Sequence, residues 1–389
     1  MSGAESCFLC GARTFEPIFS VERFPLVIGA VPAERNVPEY PLTICACQEC
    51  SLVQQISRLA PEAVDELYTS EYYSCPSPVI SGMGTRVIEN FLVFFREQVL
   101  PSGELLEIAC FDGYLLLKLA ELGWSVHGCD PNSLAKIAAE RLGSERVSVG
   151  FFKTGMYPAD KFDVIVARNL LEHIYELHEF LQSVAGTLKK GGLLFIEVPN
   201  VHKILELGLF ASFFHQHITY FSQATLSRLL LENGFVPERW DVGMSLTVSA
   251  RKLEISASRR IAAQAVARDR ELIAGFAMPS GALRNRIMSA FADPKPRVAL
   301  FGASAVSTTI LALLSAEGRS QLVAIFDNDQ QKHGKLIHGS ALQISAPTAM
   351  TLKDVDSLLI ASYLFEAEIR EQLRELGFPA HRIKSIFSG

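Results

Sequence analysis

The sequence predicts an α/β protein with two Rossmann-like parallel sheets and a cysteine-rich N-terminal module. Residues 104–200 and 297–386 each alternate short apolar runs with helical runs, the pattern of βαβ units whose sheet is covered on both faces. Five of the eight cysteines lie within the first fifty residues, which marks that segment as separate. The predicted domains are therefore 1–75, 76–254 and 296–389, with a helical connector at 255–295.

Composition and charge exclude several classes of protein. The chain has 389 residues, 49% of them hydrophobic and 20% charged, which suits two or three globular domains. A net charge of -6 argues against a nucleic-acid partner. The first residues do not form a secretory signal, and no run of about 18 apolar residues could span a bilayer. We expect a cytoplasmic protein with no membrane partner.

The N-terminal module contains two Cys-x-x-Cys pairs separated by 36 residues. Four thiolates from two such pairs can converge on Zn²⁺ in a closed tetrahedral site, which supplies folding free energy to a small module. Cys45 could replace one ligand if the register is shifted, and four unrelated cysteines are the alternative. The predicted structural zinc ligands are Cys7, Cys10, Cys47 and Cys50.

The first α/β stretch opens with a turn suited to a nucleoside ligand. Residues 105–113 lead from a first strand into a first helix, and a second strand ends at Asp130, where a carboxylate can bind ribose hydroxyls. A pyrophosphate would need glycines where residues 109–111 read Ala-Cys-Phe. A ligand without phosphates, such as S-adenosylmethionine, fits this turn better. The candidate residues for holding it are Glu107, Ala109, Gly113, Asp130 and Phe151.

Later segments carry a family resemblance. Residues 162–169 form a strand followed by LLEHI, and a predicted helix over 178–192 precedes a strand at 193–200 that ends in Pro-Asn. This succession resembles class I methyltransferases. The resemblance implies a methyltransferase Rossmann-like sheet, S-adenosylmethionine as the cofactor, and residues after the fourth strand, including Asn169, that face the transferred methyl group.

Three further features make the resemblance more specific. With the cysteine module, residues 213–222 and the C-terminal α/β unit, nearly the whole chain is similar to sugar C-methyltransferases. Those enzymes methylate C-3 of nucleotide-linked 4-keto-deoxysugars, so the resemblance implies a nucleotide-sugar as the small-molecule substrate. It also implies His217 as general base, His173 on the opposite wall, and contributions from Gln216 and Tyr72.

Two departures from that family leave the acceptor open. Abstraction of a proton beside a ketone needs a base near the carbon and a group that stabilises the enolate oxygen. Gln216 stands where the family commonly has Glu, and Phe214 stands where it often has Tyr, so a carboxylate and a hydroxyl donor are missing. Two alternatives to a sugar C-methyltransferase therefore stay open. The chain could methylate a non-sugar small molecule, or it could be a non-catalytic scaffold with a zinc-binding N-terminal module.

For several other residues a structural role competes with a functional one. We expect His178 to be a structural histidine. His215 and His217 alternate along a segment read as extended, so only one should face the pocket. In the C-terminal unit, residues 302–305 open a helix after a strand and Asp327 ends the next strand. This pair could hold part of a nucleotide-sugar or be purely architectural.

Overall fold

The computed structural model describes residues 6–57, 59–60, 62–64, 67, 77–81, 85–99, 103–253, 263–291, 296–363 and 365–386. The chain packs into two compact units. The first contains residues 1–16, 45–203 and 216–271, and the second contains residues 17–44, 204–215 and 272–389. The predicted domain limits at residues 75, 254 and 295 stay a prediction.

The strands follow the predicted alternation in both units. In chain order they are β1 (Phe15–Pro25), β2 (Ala30–Val31), β3 (Glu39–Cys47), β4 (Val53–Gln55), β5 (Glu104–Ile108), β6 (Ser125–Asp130), β7 (Val147–Val149), β8 (Phe162–Arg168), β9 (Leu188–Pro199), β10 (Thr219–Tyr220), β11 (Phe235–Val242), β12 (Ser245–Lys252), β13 (Val298–Phe301), β14 (Leu322–Phe326), β15 (Leu336–Ile337), β16 (Ile344–Ser345), β17 (Ser357–Ile360) and β18 (Ile383–Ser385).

The helices lie mostly between consecutive strands. In chain order they are α1 (Pro78–Ser81), α2 (Thr85–Arg96), α3 (Tyr114–Glu121), α4 (Ala135–Leu142), α5 (Leu177–Thr187), α6 (Val201–Glu206), α7 (Gln223–Glu232), α8 (Ala263–Ala290), α9 (Ala305–Leu313), α10 (Ala316–Ser320) and α11 (Glu366–Glu375). Short 3₁₀ helices occur at Leu171–His173, Phe210–Ser212, Gln330–Lys332 and Ala380–Arg382. Across the described residues, none of the helices has the length and hydropathy needed to cross a bilayer.

The first unit is organised around a sheet with the strand order β11-β12-β9-β8-β5-β6-β7. Strands β7, β6, β5, β8 and β9 are parallel, whereas β12 is antiparallel to both of its neighbours. Counted from β5, this is the doubly wound order 3-2-1-4-5 with an antiparallel hairpin added at one edge. The order reverses between β5 and β8, and ligands bind in the crevice at the carboxyl ends of the strands beside such a point.

Both faces of this sheet are buried, as the continuous apolar runs predict. Leu105 and Val164 pack into one hydrophobic core, while their neighbours Leu106 and Ile165 pack into the core on the opposite face. Successive side chains of a strand point to opposite faces, so an apolar residue is needed at every position. The strands therefore hold the loops at their carboxyl ends on a rigid base.

The second unit contains a smaller parallel sheet with the order β16-β14-β13-β17-β18. Its core includes Phe301, Phe326 and Ile360, from three adjacent strands. In the same unit, β2 pairs with β15 in antiparallel fashion, which places part of residues 17–44 against the C-terminal fold. The predicted fold class, with two Rossmann-like sheets and a cysteine cluster near the N-terminus, is confirmed.

One predicted boundary is wrong. The helix expected over 178–192 ends at Thr187, and β9 already begins at Leu188. The Lys189 ammonium lies 2.8 Å from the Asp163 carboxylate, and the pairing of β8 with β9 shifts register beside Asp163. Gly191 and Gly192 therefore lie in the irregular first part of β9 and do not end a helix.

Candidate active site

A cavity of about 390 Å³ lies at the carboxyl ends of β5, β6 and β8. Its size is within the range of small-molecule sites. The predicted cofactor residues Glu107, Ala109, Asp130, Phe151 and Asn169 line it, and so does His173. Residues that the sequence analysis did not single out also line it, among them Pro78, Asp112, Arg168, Phe152 and Phe180.

The turn after β5 has a left-handed backbone at alternate residues. Ala109, Phe111 and Gly113 have φ angles of 62°, 49° and 78°. The Ala109 amide donates to the carbonyl of Cys129, and the Phe111 amide donates to Oδ2 of Asp130 at 2.8 Å. A Cβ at position 113 would overlap the Cβ of Ala138, so only glycine fits there. Gly113 thus permits the tight turn between Asp112 and Tyr114, which both line the cavity.

Asp130 lies at the end of β6 with 7% of its surface exposed. Each carboxylate oxygen accepts one backbone amide, from Phe111 and from Asn132. Burial raises the pKa of Asp130, and these two amides oppose the rise. Because each carboxylate oxygen has two lone pairs, the side chain can still accept hydroxyl groups from the cavity.

Glu107 is buried on β5 beneath the cavity, with 4% of its surface exposed. Among the described residues no donor hydrogen-bonds to its Oε2 atom. Burial raises the pKa of Glu107 to about 8; the Arg168 guanidinium opposes the rise and the carboxylate of Asp130 adds to it. A buried, unsatisfied carboxyl oxygen is costly, and a cationic or N–H-bearing ligand group would satisfy it.

Arg168 is the last residue of β8, and Asn169 opens the loop that follows. The Asn169 amide donates to the carbonyl of Glu197 at 2.7 Å, and its φ is 48°. The Arg168 guanidinium pairs with the Glu197 carboxylate at 2.6 Å and lies over the ring of Phe91. Sequence reasoning missed Arg168, although a basic residue that ends an otherwise apolar central strand is a usable signal.

Aromatic side chains form one wall of the cavity. Phe151, which is 43% exposed, lies there with Phe152 and Phe180. The rings of Phe152 and Phe180 meet edge to face with centroids 5.9 Å apart. A flat heterocycle can pack against such a wall. The predicted position of Phe151 beside the ligand is compatible with this placement.

Two histidines lie together next to the cavity. The rings of His173 and His217 are 5.0 Å apart, with an interplanar angle of 73°. His173 Nδ1 bonds to the carbonyl of Gln216 at 2.7 Å, so Nδ1 carries the proton, because a carbonyl only accepts. Burial lowers the pKa of His173 to about 4, and the hydrogen bond to Gln216 opposes this. His173 is therefore neutral near pH 7.

The position of His217 is set by its neighbours in the first unit. Gln55 donates a hydrogen bond to the His217 carbonyl at 2.6 Å, and β10, which follows at once, pairs with β4. The Ile218 amide donates to the carbonyl of Glu172 at 2.6 Å. These bonds hold the residues on both sides of His217 against the loop that contains His173.

The other predicted residues are placed as follows. Gln216 contributes its backbone carbonyl to His173, and Tyr72 lies outside the described residues. His215 bonds through Nε2 to the carbonyl of Phe24 within the second unit. The backbone at 214–216 bends and turns, so the expectation of an extended segment is wrong. His178 bonds to the carbonyl of Leu9 and is structural, as expected.

The four predicted zinc ligands converge. The Sγ atoms of Cys7 and Cys50 are 3.5 Å apart, as are those of Cys10 and Cys47, and all four lie within 4.8 Å of one another. Zn–S bonds of about 2.3 Å give a tetrahedron with edges of about 3.8 Å, so the four thiols fit zinc. Cys45 is outside this group, and burial raises the pKa of its thiol to about 11.

The possible anion site in the second unit is already satisfied from within. The Ala303 amide donates to Oδ2 of Asp327 at 2.7 Å, and the Lys332 ammonium pairs with the same carboxylate oxygen at 3.0 Å. A carboxylate of the chain thus occupies the position that a phosphate would need. These contacts favour the architectural interpretation of this turn.

Comparison with known proteins agrees with the fold. Residues 81–239 match the family model of a methyltransferase domain, and residues 294–384 match a model described as C2185-like, N-terminal. The first unit has the fold of class I methyltransferases. The chain is therefore an S-adenosylmethionine-dependent methyltransferase.

One relative matches nearly the entire chain. C-methyltransferase NovU from Streptomyces niveus is 26% identical over 399 residues, which cover 95% of this chain and 92% of that protein. The predicted resemblance to C-methyltransferases is confirmed by this match. A ubiquinone biosynthesis O-methyltransferase from Bradyrhizobium sp. (strain ORS 278) is 35% identical, but over only 25% of this chain and 40% of that protein.

A solved structure also matches part of the chain. It is the 1,6-didemethyltoxoflavin-N1-methyltransferase of Burkholderia thailandensis with bound 1,6-didemethyltoxoflavin and S-adenosylhomocysteine. The two chains are 17% identical, and the match covers 55% of this chain and 96% of that one, with a TM-score of 0.40.

Proposed function

We propose that this enzyme methylates a carbon atom beside a ketone, on a nucleotide-linked 4-keto-deoxysugar, with C-3 as the acceptor. The end-to-end similarity to a C-methyltransferase supports carbon as the acceptor atom. The observation that carries the proposal is the pair His173 and His217, whose rings lie 5.0 Å apart beside the cavity. The cytoplasm is the proposed location.

In this proposal the cavity holds S-adenosylmethionine, which supplies an electrophilic methyl group. Asp130 binds the ribose hydroxyls, and Phe151 packs against the adenine. The unsatisfied Oε2 atom of Glu107 faces the cationic amino acid end of the cofactor, where a positive charge would satisfy it. Gly113 keeps the turn in its required shape, with Ala109 and Asn169 forming the adjoining backbone.

His217 acts as the general base. Its imidazole would take the proton from the carbon beside the ketone, and the electron pair of the broken C–H bond would move into the enolate. The enolate carbon would then form a bond to the methyl group as the methyl–sulfur bond of the cofactor breaks, with the electron pair of that bond left on the neutral thioether sulfur. His173, which is neutral near pH 7, positions the sugar from beside His217, because the two rings lie 5.0 Å apart and the expected place on the opposite wall is wrong. Gln216 holds His173 through its backbone carbonyl. Tyr72 is proposed to cover the substrate.

Substituting His217 tests this assignment. The His217→Asn variant should lose turnover by about a hundredfold or more, since a general base contributes that much. Its affinity for S-adenosylmethionine should stay near that of the wild type. The measurement is transfer of labelled methyl groups to a panel of nucleotide-linked 4-keto-sugars. His178→Asn serves as the matched control, and full turnover by His217→Asn would remove His217 from the base role.

A second acceptor class is favoured by two residues. Phe214 cannot donate a hydrogen bond to an enolate oxygen, and Gln216 cannot carry the negative charge that would stabilise an imidazolium. A non-sugar small molecule with a more acidic carbon or a hydroxyl group would need neither. Binding of no nucleotide-sugar, together with methylation of such a molecule, would select this class.

We also propose that Cys7, Cys10, Cys47 and Cys50 bind a structural zinc ion. Their four sulfur atoms fit a tetrahedral ligand set without an open position for water. Arg228 lies near enough to Cys50 and Cys10 for their charges to interact with its guanidinium, which would offset the negative charge of a four-thiolate site. The zinc would hold the two cysteine turns together.

A further inference from the structure

A cluster of three potential metal ligands lies at the histidine pair and is separate from the cysteines. It consists of Glu172, His173 and His217, each of which offers one donor atom, and these donor atoms lie within 4.8 Å of one another. Glu172 and His173 belong to the 3₁₀ helix Leu171–His173, whereas His217 comes from the loop before β10. The chain thus brings together two imidazoles and a carboxylate that are distant in sequence.

The burial of Glu172 favours a cation as its partner. Its side chain is 1% exposed, and among the described residues no donor hydrogen-bonds to its Oε2 atom. A buried carboxyl oxygen without a partner is costly, and a metal cation would satisfy it. The other ligand atoms of the cluster are nitrogens of His173 and His217, which can bind the same cation.

His173 has the outer contact that metal-binding histidines usually have. Its Nδ1–H donates to the backbone carbonyl of Gln216 at 2.7 Å. Such a bond fixes the tautomer and the ring orientation, and it leaves the lone pair on Nε2. His173 also lines the cavity, so an ion held here would have coordination positions directed toward a ligand in the cavity.

We propose that Glu172, His173 and His217 form a second metal site that takes a divalent transition metal ion. Two imidazoles and one carboxylate suit Zn²⁺, Co²⁺, Ni²⁺ or Fe²⁺, whereas Mg²⁺ and Ca²⁺ prefer oxygen ligands throughout. Bonds of about 2.0–2.2 Å require the side chains to close further around the ion. The site has three protein ligands and remains open, unlike the four-cysteine site.

Metal binding has a consequence that rests on the proposed function. The nitrogen of His217 that binds the ion cannot accept a proton from the substrate at the same time. A transition metal ion should therefore inhibit methyl transfer by occupying the general base, and removal of the ion should restore the activity.

Cobalt titration of the zinc-loaded, full-length protein tests the site. The wild type should bind one equivalent of Co²⁺ beyond the zinc, with visible d–d absorption but without the intense thiolate charge-transfer bands of a cysteine site. Glu172→Gln and His217→Asn should each weaken this binding at least about tenfold. Elemental analysis counts both metals, and circular dichroism checks that each variant is folded.

Glu104→Gln is the matched control. Glu104 also lies beside a histidine, with its carboxylate 2.7 Å from His127 Nε2, but this pair is outside the cluster. The control should bind Co²⁺ as the wild type does. A wild-type protein that takes no cobalt beyond the zinc, or a Glu172→Gln variant with unchanged affinity, would overturn the proposal.

The readouts separate this inference from the proposed function. Cobalt binding by a protein that, before cobalt is added, transfers no methyl group to any keto-sugar would refute the proposed function and leave the metal site standing. Methyl transfer without a second metal equivalent would refute the metal site alone. If the ion binds and the rate of transfer is unchanged, the competition for His217 is wrong.

Discussion

Individual residues in the cofactor turn differ in how well they suit its backbone. Ala109 and Phe111 adopt positive φ angles, which cost a residue with a Cβ about 1–2 kcal/mol relative to glycine. Gly113 adopts a similar angle, and in addition a Cβ there would overlap Ala138. The turn therefore tolerates side chains at positions 109 and 111 but excludes any side chain at position 113.

A pair of opposite substitutions should separate these effects. Ala109→Gly should leave the free energy of unfolding within about 1 kcal/mol of the wild type, because relief of the positive φ offsets the greater flexibility of glycine when unfolded. Gly113→Ala should destabilise the protein by about 2–4 kcal/mol, through overlap and strain together. Denaturant unfolding measures both, and a Gly113→Ala variant as stable as the wild type would contradict the described turn.

The buried carboxyl of Glu107 should make stability depend on pH. Its pKa is raised to about 8 in the folded protein, so it stays protonated where the unfolded chain has already ionised. Its contribution to stability is complete below pH 4.5 and is lost as the pH rises toward 8, at about 1 kcal/mol per pH unit. Glu107→Gln should flatten that part of the profile of unfolding free energy against pH.

The control for this prediction is on the same strand. Glu104 lies at the start of β5, and its pKa is lowered, with burial opposed by hydrogen bonds from Ser125 and His127. Glu104→Gln should keep the alkaline loss of stability that Glu107→Gln removes. Identical profiles for the two variants would mean that Glu107 is ionised in the folded protein.

At the scale of elements, the two cysteine turns have the shape that the proposed zinc site requires. Gly11 donates to the carbonyl of Cys7 and Ser51 donates to the carbonyl of Cys47, each with a positive φ angle. Such turns aim pairs of sulfur atoms at one point. Cys7, Cys47 and Cys50 also pack into the main core of the first unit, so loss of the metal should affect more than a surface loop.

Removal of zinc should therefore lower the thermal stability of the enzyme. Treatment with a strong chelator, or the Cys10→Ser substitution, should lower the melting temperature by several degrees, because removal of a structural metal takes away folding free energy. Differential scanning fluorimetry with added Zn²⁺ measures the effect and its reversal. Cys45→Ser is the control and should keep its zinc; equal zinc loss from both variants would assign Cys45 to the site.

Elements were easier to predict than the contacts between them. Strands β5, β6 and β8 were predictable because their apolar runs are buried on both faces. The early start of β9 was not, because Leu188 is followed there by two lysines and two glycines, whose extended path depends on pairing with β8 and on the contact with Asp163. That contact joins residues 26 positions apart.

At the scale of the whole molecule, compact units do not coincide with continuous stretches of sequence. Residues 17–44 and 204–215 pack with the C-terminal fold, although both are flanked by residues of the first unit. Sequence periodicity reports which residues are buried but not which segment buries them. The cavity residues on strand ends, Arg168 among them, could be predicted from topology, whereas the burial of Glu172 depends on tertiary contacts.

The most direct test of the account is a calorimetric titration of the full-length protein with S-adenosylmethionine. We predict binding of one equivalent, weakened about 10- to 100-fold in both Asp130→Ala and Glu107→Gln. Asp130→Ala loses hydrogen bonds to a carboxylate, and Glu107→Gln cannot ionise opposite the cationic end of the cofactor. Glu104→Gln should bind as the wild type does. A wild-type protein that binds no S-adenosylmethionine at millimolar concentration would contradict the account.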